Sequence, residues 1–252
     1  LGGTETEIFL SGDISLGTTG ELQISRNLTL DGNGFSIDAG GNSRVINVTS
    51  GTVTISDMEI TGGSVAADGA GILNSGNLTL DHVRVHHNTA NSYSYSLNGA
   101  GISNTLNGDL TILNSLIDHN TAYVSSGGLN GAGISSFGDI TITNSTIANN
   151  GATVPSPSNT FGALGGGLYK GDNANATISN TIFANNGGNF GSFNSAYGNY
   201  GREVYVVDGN GGSTISNSLV YDGTNGQGTT QEFVFEGTTS NMVWNAPSFT
   251  NA

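Results

Sequence analysis

Gly131-Ala-Gly-Ile134, then Gly138-Asp-Ile-Thr-Ile-Thr-Asn144, then Ile147-Ala-Asn-Asn150 follow one another with almost nothing between them. A small-residue opening leads into an apolar residue, an apolar-Thr-apolar string ends two residues before an asparagine, and an apolar-x-x-Asn motif closes the unit. The string recurs at Leu28-Thr29-Leu30, Val53-Thr54-Ile55, Leu78-Thr79-Leu80, Leu110-Thr111-Ile112, Ile140-Thr141-Ile142, Ala176-Thr177-Ile178 and Ser213-Thr214-Ile215, in steps of 25, 25, 32, 30, 36 and 37 residues. Period-two alternation marks a strand with Thr outward and its apolar neighbours inward. Two positions after each string stand Gly32, Asp57, His82, Asn114, Asn144, Asn180 or Asn217. Most of these types tolerate the left-handed backbone of a bend.

The other two strings repeat as well. The opening recurs at Gly69-Ala-Gly-Ile72, Gly99-Ala-Gly-Ile102 and Gly165-Gly-Gly-Leu168, and the closing motif at Val85 to Asn88, Ile117 to Asn120 and Phe183 to Asn186. Self-similarity at this period belongs to repeat architectures. The expected fold is all-β: a right-handed parallel β-helix (β-solenoid) with three short strands per coil and about seven or more coils. Asn114, Asn144, Asn180 and Asn217, and likewise Asn88, Asn120, Asn150 and Asn186, are expected to stack between coils as buried amide ladders. The whole of 1–252 reads as one domain: N-terminal edge strands in 1–26, regular coils over 27–220, and a C-terminal edge segment in 221–252. Inserts are expected at 89–98, 121–130, 151–164 and 187–200.

Composition narrows the function. Lys and Arg total 5 against 19 Asp and Glu, a formal net charge of −14. Five cations cannot build a phosphate-binding stripe, so neither nucleic acid nor an anionic membrane surface is an expected partner. No run approaches the length of a membrane span, so membrane insertion is not expected. No charged-then-apolar leader precedes Leu1, and the chain is expected to be a mature protein or a fragment. Cysteine is absent, which removes disulfides and thiolate chemistry. With 41 Gly and 32 Asn in 252 residues, the chain is rich in turn formers yet regularly spaced in apolar ones.

The pairing of Gly-Ala-Gly-Ile with apolar-x-x-Asn resembles the GGA(I/L/V) and FxxN repeats of polymorphic outer-membrane proteins. The run Asn27-Leu-Thr-Leu-Asp-Gly-Asn-Gly34, Arg44-Val-Ile-Asn-Val48, Val53-Thr-Ile-Ser-Asp57 and Gly69-Ala-Gly-Ile72 is similar to the β-helix domain of bacterial choice-of-anchor surface proteins. This resemblance, over about residues 27–190, implies a secreted or cell-surface protein, often adhesive. Asn245-Ala-Pro-Ser-Phe-Thr250 is similar to a coil-ending segment of such helices. In two respects the chain departs from the family pattern: the N-terminal capping helix has no counterpart, and residues 201–244 lose the Gly-rich opening. Both ends offer strand-like segments, so the expected partners are a second copy, head to tail, or flanking domains of a longer surface protein.

Three chemistries compete with a structural role. His86 and His87 align with Asp118 and His119 of the next coil, with Arg84 nearby. They could hold a metal or serve β-elimination in a polysaccharide lyase; the preferred reading makes His87 and His119 turn residues in the slot that Asn149 and Asn185 fill later. Asp109 and Asp139 occupy equivalent positions and could share a calcium ion, or act as the carboxylate pair of a hydrolase; two solvated acids are preferred. The Tyr-containing inserts (Tyr93, Tyr95, Tyr123, Tyr197, Tyr200) suit a polysaccharide partner. Finally, the threonine row suits an ice-binding face, although Thr also favours exposed strands for its own reasons. The leading expectation is a non-catalytic structural or adhesive module without a cofactor.

Overall fold

The computed structural model describes residues 6–93, 96–125, 127–154, 163–171, 174–190, 200–207, 212–221, 231–235 and 237–244. Among them there are strands and turns but no helix, hence no helix long and apolar enough to cross a membrane. The chain is all-β, and its strand pairings are parallel. The strands form three sheets in which each segment pairs with its equivalent one repeat away.

The first sheet carries the apolar-Thr-apolar strings together with the short strands that follow the bend, such as Leu116–Asp118 and Thr146–Ala148. In two repeats the halves run through as single ten-residue strands, Thr52–Thr61 and Asn77–His86. The bend is at Asp57, His82, Asn114, Asn144, Asn180 and Asn217, all at φ between 48° and 55°, and it extends to Asn241 at 51°. Only the first repeat differs. There Asn33 (φ 50°), not Gly32, takes the left-handed conformation, held by its N–H donating to Asp31 Oδ1 at 2.8 Å. Threonines 29, 54, 79, 111, 141, 177, 214 and 238 stand opposite one another in unbroken register. Their inward neighbours, among them Leu28, Val53, Leu78, Ile112, Ile142 and Ile178, are almost fully buried in one continuous core running from Leu10 to Val220.

The second sheet holds the strands after the Gly-rich openings, Ile72–Asn74, Ile102–Asn104, Ile134–Ser136 and Leu168–Lys170. The third occupies sequence expected as variable insert. Thr89–Ser92, Thr121–Val124, Gly151–Val154 and Gly187–Phe190 pair in register, and Leu97–Asn98, Leu129–Asn130 and Ala163–Leu164 extend the second sheet. The expectation of three short strands per coil is therefore corrected: three sheets are present, but a unit such as 77–104 contributes four strand segments, one of them bent across both halves of the first sheet. The reason is a small core of its own, in which Ala90, Leu97, Ala100, Ala122, Val124, Leu129, Ala132 and Ala152 are buried. Strand register also reaches both end segments, since Glu7–Phe9 pairs with Leu28–Asp31 and Thr238–Ser240 with Thr214–Ser216.

The two asparagine rows behave differently. Asn88, Asn120, Asn150 and Asn186 are buried, and the Nδ2 of each of the first three donates to the Oδ1 of the next at 2.9–3.0 Å. The same oxygen also receives the backbone N–H of the preceding asparagine. The remaining amide hydrogens of Asn120, Asn150 and Asn186 reach Val85, Ile117 and Ile147 carbonyls. By contrast, Asn114, Asn144, Asn180 and Asn217 are exposed, not buried as expected. They link by amide bonds at 3.2–3.3 Å along Asn114, Asn144 and Asn180, and the row starts on Asp81. Their side chains are placed outside because the left-handed turn points Cβ away from the core.

The buried row explains the small-residue opening. A Cβ on Gly133 would come within 2.9 Å of Asn150 Nδ2 and 2.6 Å of the Gly167 carbonyl. Gly131, at φ 63°, supplies the turn before it, and Ala132 between them is fully buried. The opening and closing motifs of the repeat are thus two sides of one contact. Asn150→Ala is expected to lower unfolding free energy by about 1–3 kcal/mol for each partner left unpaired, whereas Asn144→Gly, at an exposed left-handed position, should stay within about 0.5 kcal/mol. Equal losses in denaturant titrations of the two variants would contradict this assignment.

Candidate functional site

A concavity of about 990 Å³ follows the bend of the first sheet. Met58, Val83 and Leu116 lie along it, with Asp31, Asp57, Glu59 and Arg84 supplying charge and His82 an imidazole. It adjoins the histidine cluster through two shared residues, Glu59 and Arg84. Parallel pairing sets this up: Glu59 stands opposite Arg84, and His86 opposite both Thr61 and Asp118.

The cluster is cross-linked within itself. Arg84 grips Asp118 with Nε at 3.0 Å from Oδ1 and Nη2 at 2.8 Å from Oδ2, and His119 Nδ1 is 2.7 Å from Oδ2. His86 Nε2 lies 3.2 Å from Glu59 Oε2, and its Nδ1 lies 2.6 Å from His87 Nδ1. That last contact needs one donor and one acceptor, so at least one ring of the pair is neutral. The His87 and His119 rings stack with centroids 5.3 Å apart and planes within 5°. Both residues have left-handed backbones, φ 53° and 54°, as do Asn149 and Asn185 in the same slot of later repeats.

Electrostatics follow from this packing. Burial is the largest influence on Asp118 and pushes its pKa up. Hydrogen bonds from Arg84 and His119, with the charges of both, outweigh it and hold the carboxyl below the ordinary aspartate value. For His86, burial and then the Arg84 charge lower the pKa, against a weaker opposing pull from Glu59. The hydrogen bond to Asp118 in turn raises Arg84. The result is a neutral imidazole beside a closed ion pair. Both Asp118 oxygens are engaged by Arg84 and His119, and Arg84, which also lines the groove, is paired with that carboxylate.

The remaining sequence candidates are scattered. Asp109 and Asp139 are exposed and equivalent in neighbouring repeats, and Asp139 Oδ1 accepts the Asn175 N–H at 2.7 Å. Among the described residues no group of three His, Asp or Glu side chains is arranged to hold a metal ion. Tyr93 is 74% exposed and its ring lies 6.0 Å from that of Tyr123 on the third sheet. Tyr200 lies in the strand Tyr200–Val206 of the second sheet. Tyr95, Tyr197 and Asn245–Thr250 lie outside the described residues.

Two features escaped the sequence reading. Glu59, partner of His86, becomes visible only when Met58-Glu-Ile60 is laid over Val83-Arg-Val85, as pairing does. A second aromatic group, Phe137, Tyr169 and Tyr205, lines the second sheet, with centroids 5.7 and 5.8 Å apart; the shared apolar-Tyr pair, Leu168-Tyr169 and Val204-Tyr205, was its signal. Set against family models, curated proteins and solved structures, the chain matches none. Its own geometry carries the functional argument.

The signs of these shifts give a pH dependence. A histidine with a lowered folded pKa contributes stability that is full above its unfolded value, about 6.5, and declines as the pH falls below it, because the unfolded chain binds the proton first. Asp118 acts in the same direction lower down, losing its contribution as the pH drops below about 3.9. The melting temperature should therefore fall on acidification from neutral pH towards 5, and less steeply in His86→Asn. Superimposable slopes in calorimetry would contradict this account of His86.

Proposed function

We propose that the three sheets are the faces of a right-handed parallel β-helix and that the protein is a non-catalytic, secreted or surface-displayed structural or adhesive module. The solenoid reading is supported by parallel partners one repeat apart in all three sheets, the nearest-neighbour construction of such folds. Right-handedness follows from the strong preference of parallel crossover connections. The observation that carries the non-catalytic reading is the Arg84–Asp118–His119 brace, in which the acid, the cation and one histidine of the candidate cluster are bound to one another, Arg84 reaching Asp118 from the preceding repeat. The likeness of the repeat strings to bacterial surface proteins supports the location. For partners, the described strands at one extreme, Glu7–Phe9, Ile14–Ser15 and Leu22–Ile24, each pair on one side only, an arrangement that suits a second copy or a neighbouring domain.

Incubation with acidic and neutral polysaccharides should yield no cleavage. Robust cleavage by the purified chain that disappears in His119→Ala would replace the non-catalytic reading with that of a lyase or hydrolase.

One specific observation favours a second reading, ice binding: the eight in-register threonines on a parallel sheet, flanked over later repeats by Thr143, Ser179, Ser216 and Ser240. Earlier repeats interrupt that flank with Asp31, Asp81 and Leu113. Under the leading reading the row is a β-favouring exterior, and freezing shows no thermal hysteresis. Hysteresis that vanishes in Thr141→Tyr would assign the function to this face.

A further inference from the structure

The geometry points to a binding site for a neutral saccharide on the outer face of the second sheet, remote from the histidine cluster. It builds on the adhesive reading above and names the ligand class that such a module would take. The outward row here runs Ser103, Ser135, Tyr169, Tyr205 in direct register. Two small residues are followed by two large ones, and Ser103 and Tyr169 of this row line a groove of about 550 Å³, within the usual range of small-ligand sites.

Its walls are apolar and aromatic. Phe137 and Tyr169 form one side. The Phe137 ring is seated against Gly171, where a Cβ would come 2.9 Å from Cδ1, so the ring is held in place by the backbone of the next repeat. Leu106, 68% exposed, lines the groove as well. An exposed leucine beside ordered aromatic rings gives the face of a sugar ring an apolar surface to lie on.

The polar groups are those that hydroxyls use. Ser103 and Thr105 line the groove with Asp68 and Asn98. Asp68 is oriented by accepting the Asn98 N–H at 2.8 Å and Nδ2 at 2.9 Å. Ser135, next to Ser103 in the row, is fully buried and does not line the groove.

Charge selects among ligands. Among the described residues no lysine, arginine or histidine lines the groove, so anionic glycans find no counter-charge there. The one carboxylate among the described lining residues, Asp68, is already engaged by Asn98, so a cationic ligand gains little. An uncharged, polyhydroxylated ring with an apolar face satisfies both the aromatic walls and the hydroxyl row. Successive rungs, spaced at ~4.8 Å, would let adjacent sugar units of a chain follow Tyr169 to Tyr205.

The test is titration calorimetry of the full chain with neutral gluco-, manno- and xylo-oligosaccharides, alongside oligogalacturonate and chitosan oligomers. Binding of at least one neutral series is expected, weakened at least tenfold in Tyr169→Ala and about threefold or more in Leu106→Ala. The latter changes an exposed side chain and keeps the test alive should Tyr169→Ala fail to fold. No neutral binding, binding of charged series alone, or unchanged affinity in Leu106→Ala together with folded Tyr169→Ala would overturn the site. Affinity lost in Tyr93→Ala instead would move the site to the third sheet and leave the adhesive reading standing. Cleavage of the oligosaccharides would end the non-catalytic reading without touching this assignment.

Discussion

An asparagine amide turned into a protein interior brings two donors and an acceptor that must all be met there, and the structure depends on how this chain meets them. Gly63 N–H donates to Asn88 Oδ1, and the bonds then run in one direction through Asn120 and Asn150 to Asn186. Aligned hydrogen bonds polarise one another, and the last acceptor is a carboxylate: Glu203 receives Asn186 N at 2.9 Å and Nδ2 at 2.6 Å. Glu203 stands where the previous repeat has Gly167, since Leu168 pairs with Val204. The loss of the Gly-rich opening after residue 200 thus has a physical cause. No fifth asparagine follows at the corresponding spacing, and a buried glutamate closes the chain of donors in its place.

The same logic of internal commitment governs the charges. Arg44 is bound to Glu21 and to the carbonyls of Asp68 and Gly69. Arg84 holds Asp118, and Lys170 is fully buried with Nζ 2.6 Å from the Val207 carbonyl. Three of the five cations are therefore structural, and Glu21, Asp118 and the buried Glu203 are committed along with them, so the rest of the chain keeps the strongly negative balance of the sequence. Such a balance repels polyanions, which is consistent with the proposal of an uncharged ligand on the second sheet.

Much of this was legible in the sequence, and the failures have identifiable reasons. Strand spacing followed from apolar-Thr-apolar strings because parallel pairing places like residues opposite like. The left-handed turns followed from Asn, Asp and His at one offset. Which asparagine row is buried did not follow, since Asn120 and Asn144 are the same residue at equally regular spacing, and only backbone direction separates them. The inserts misled because Thr-Ala-Tyr-Val at 121–124 buries small residues, whose apolar signal is weak. At the histidine cluster the residues were found but not their mutual bonding, because Glu59 belongs to the preceding repeat and Arg84 reaches Asp118 across 34 positions.

The central claim is that the Asn120, Asn150 and Asn186 amides are sealed against the opening glycines and hold neighbouring repeats together. Hydrogen exchange of side-chain amide protons, followed by nuclear magnetic resonance, measures this directly. Slow exchange of these three NH₂ groups, comparable to core backbone amides such as Ile117 and Ile147, is the predicted result, with Asn114, Asn144 and Asn180 exchanging far faster. Equally fast exchange in both rows would contradict the account.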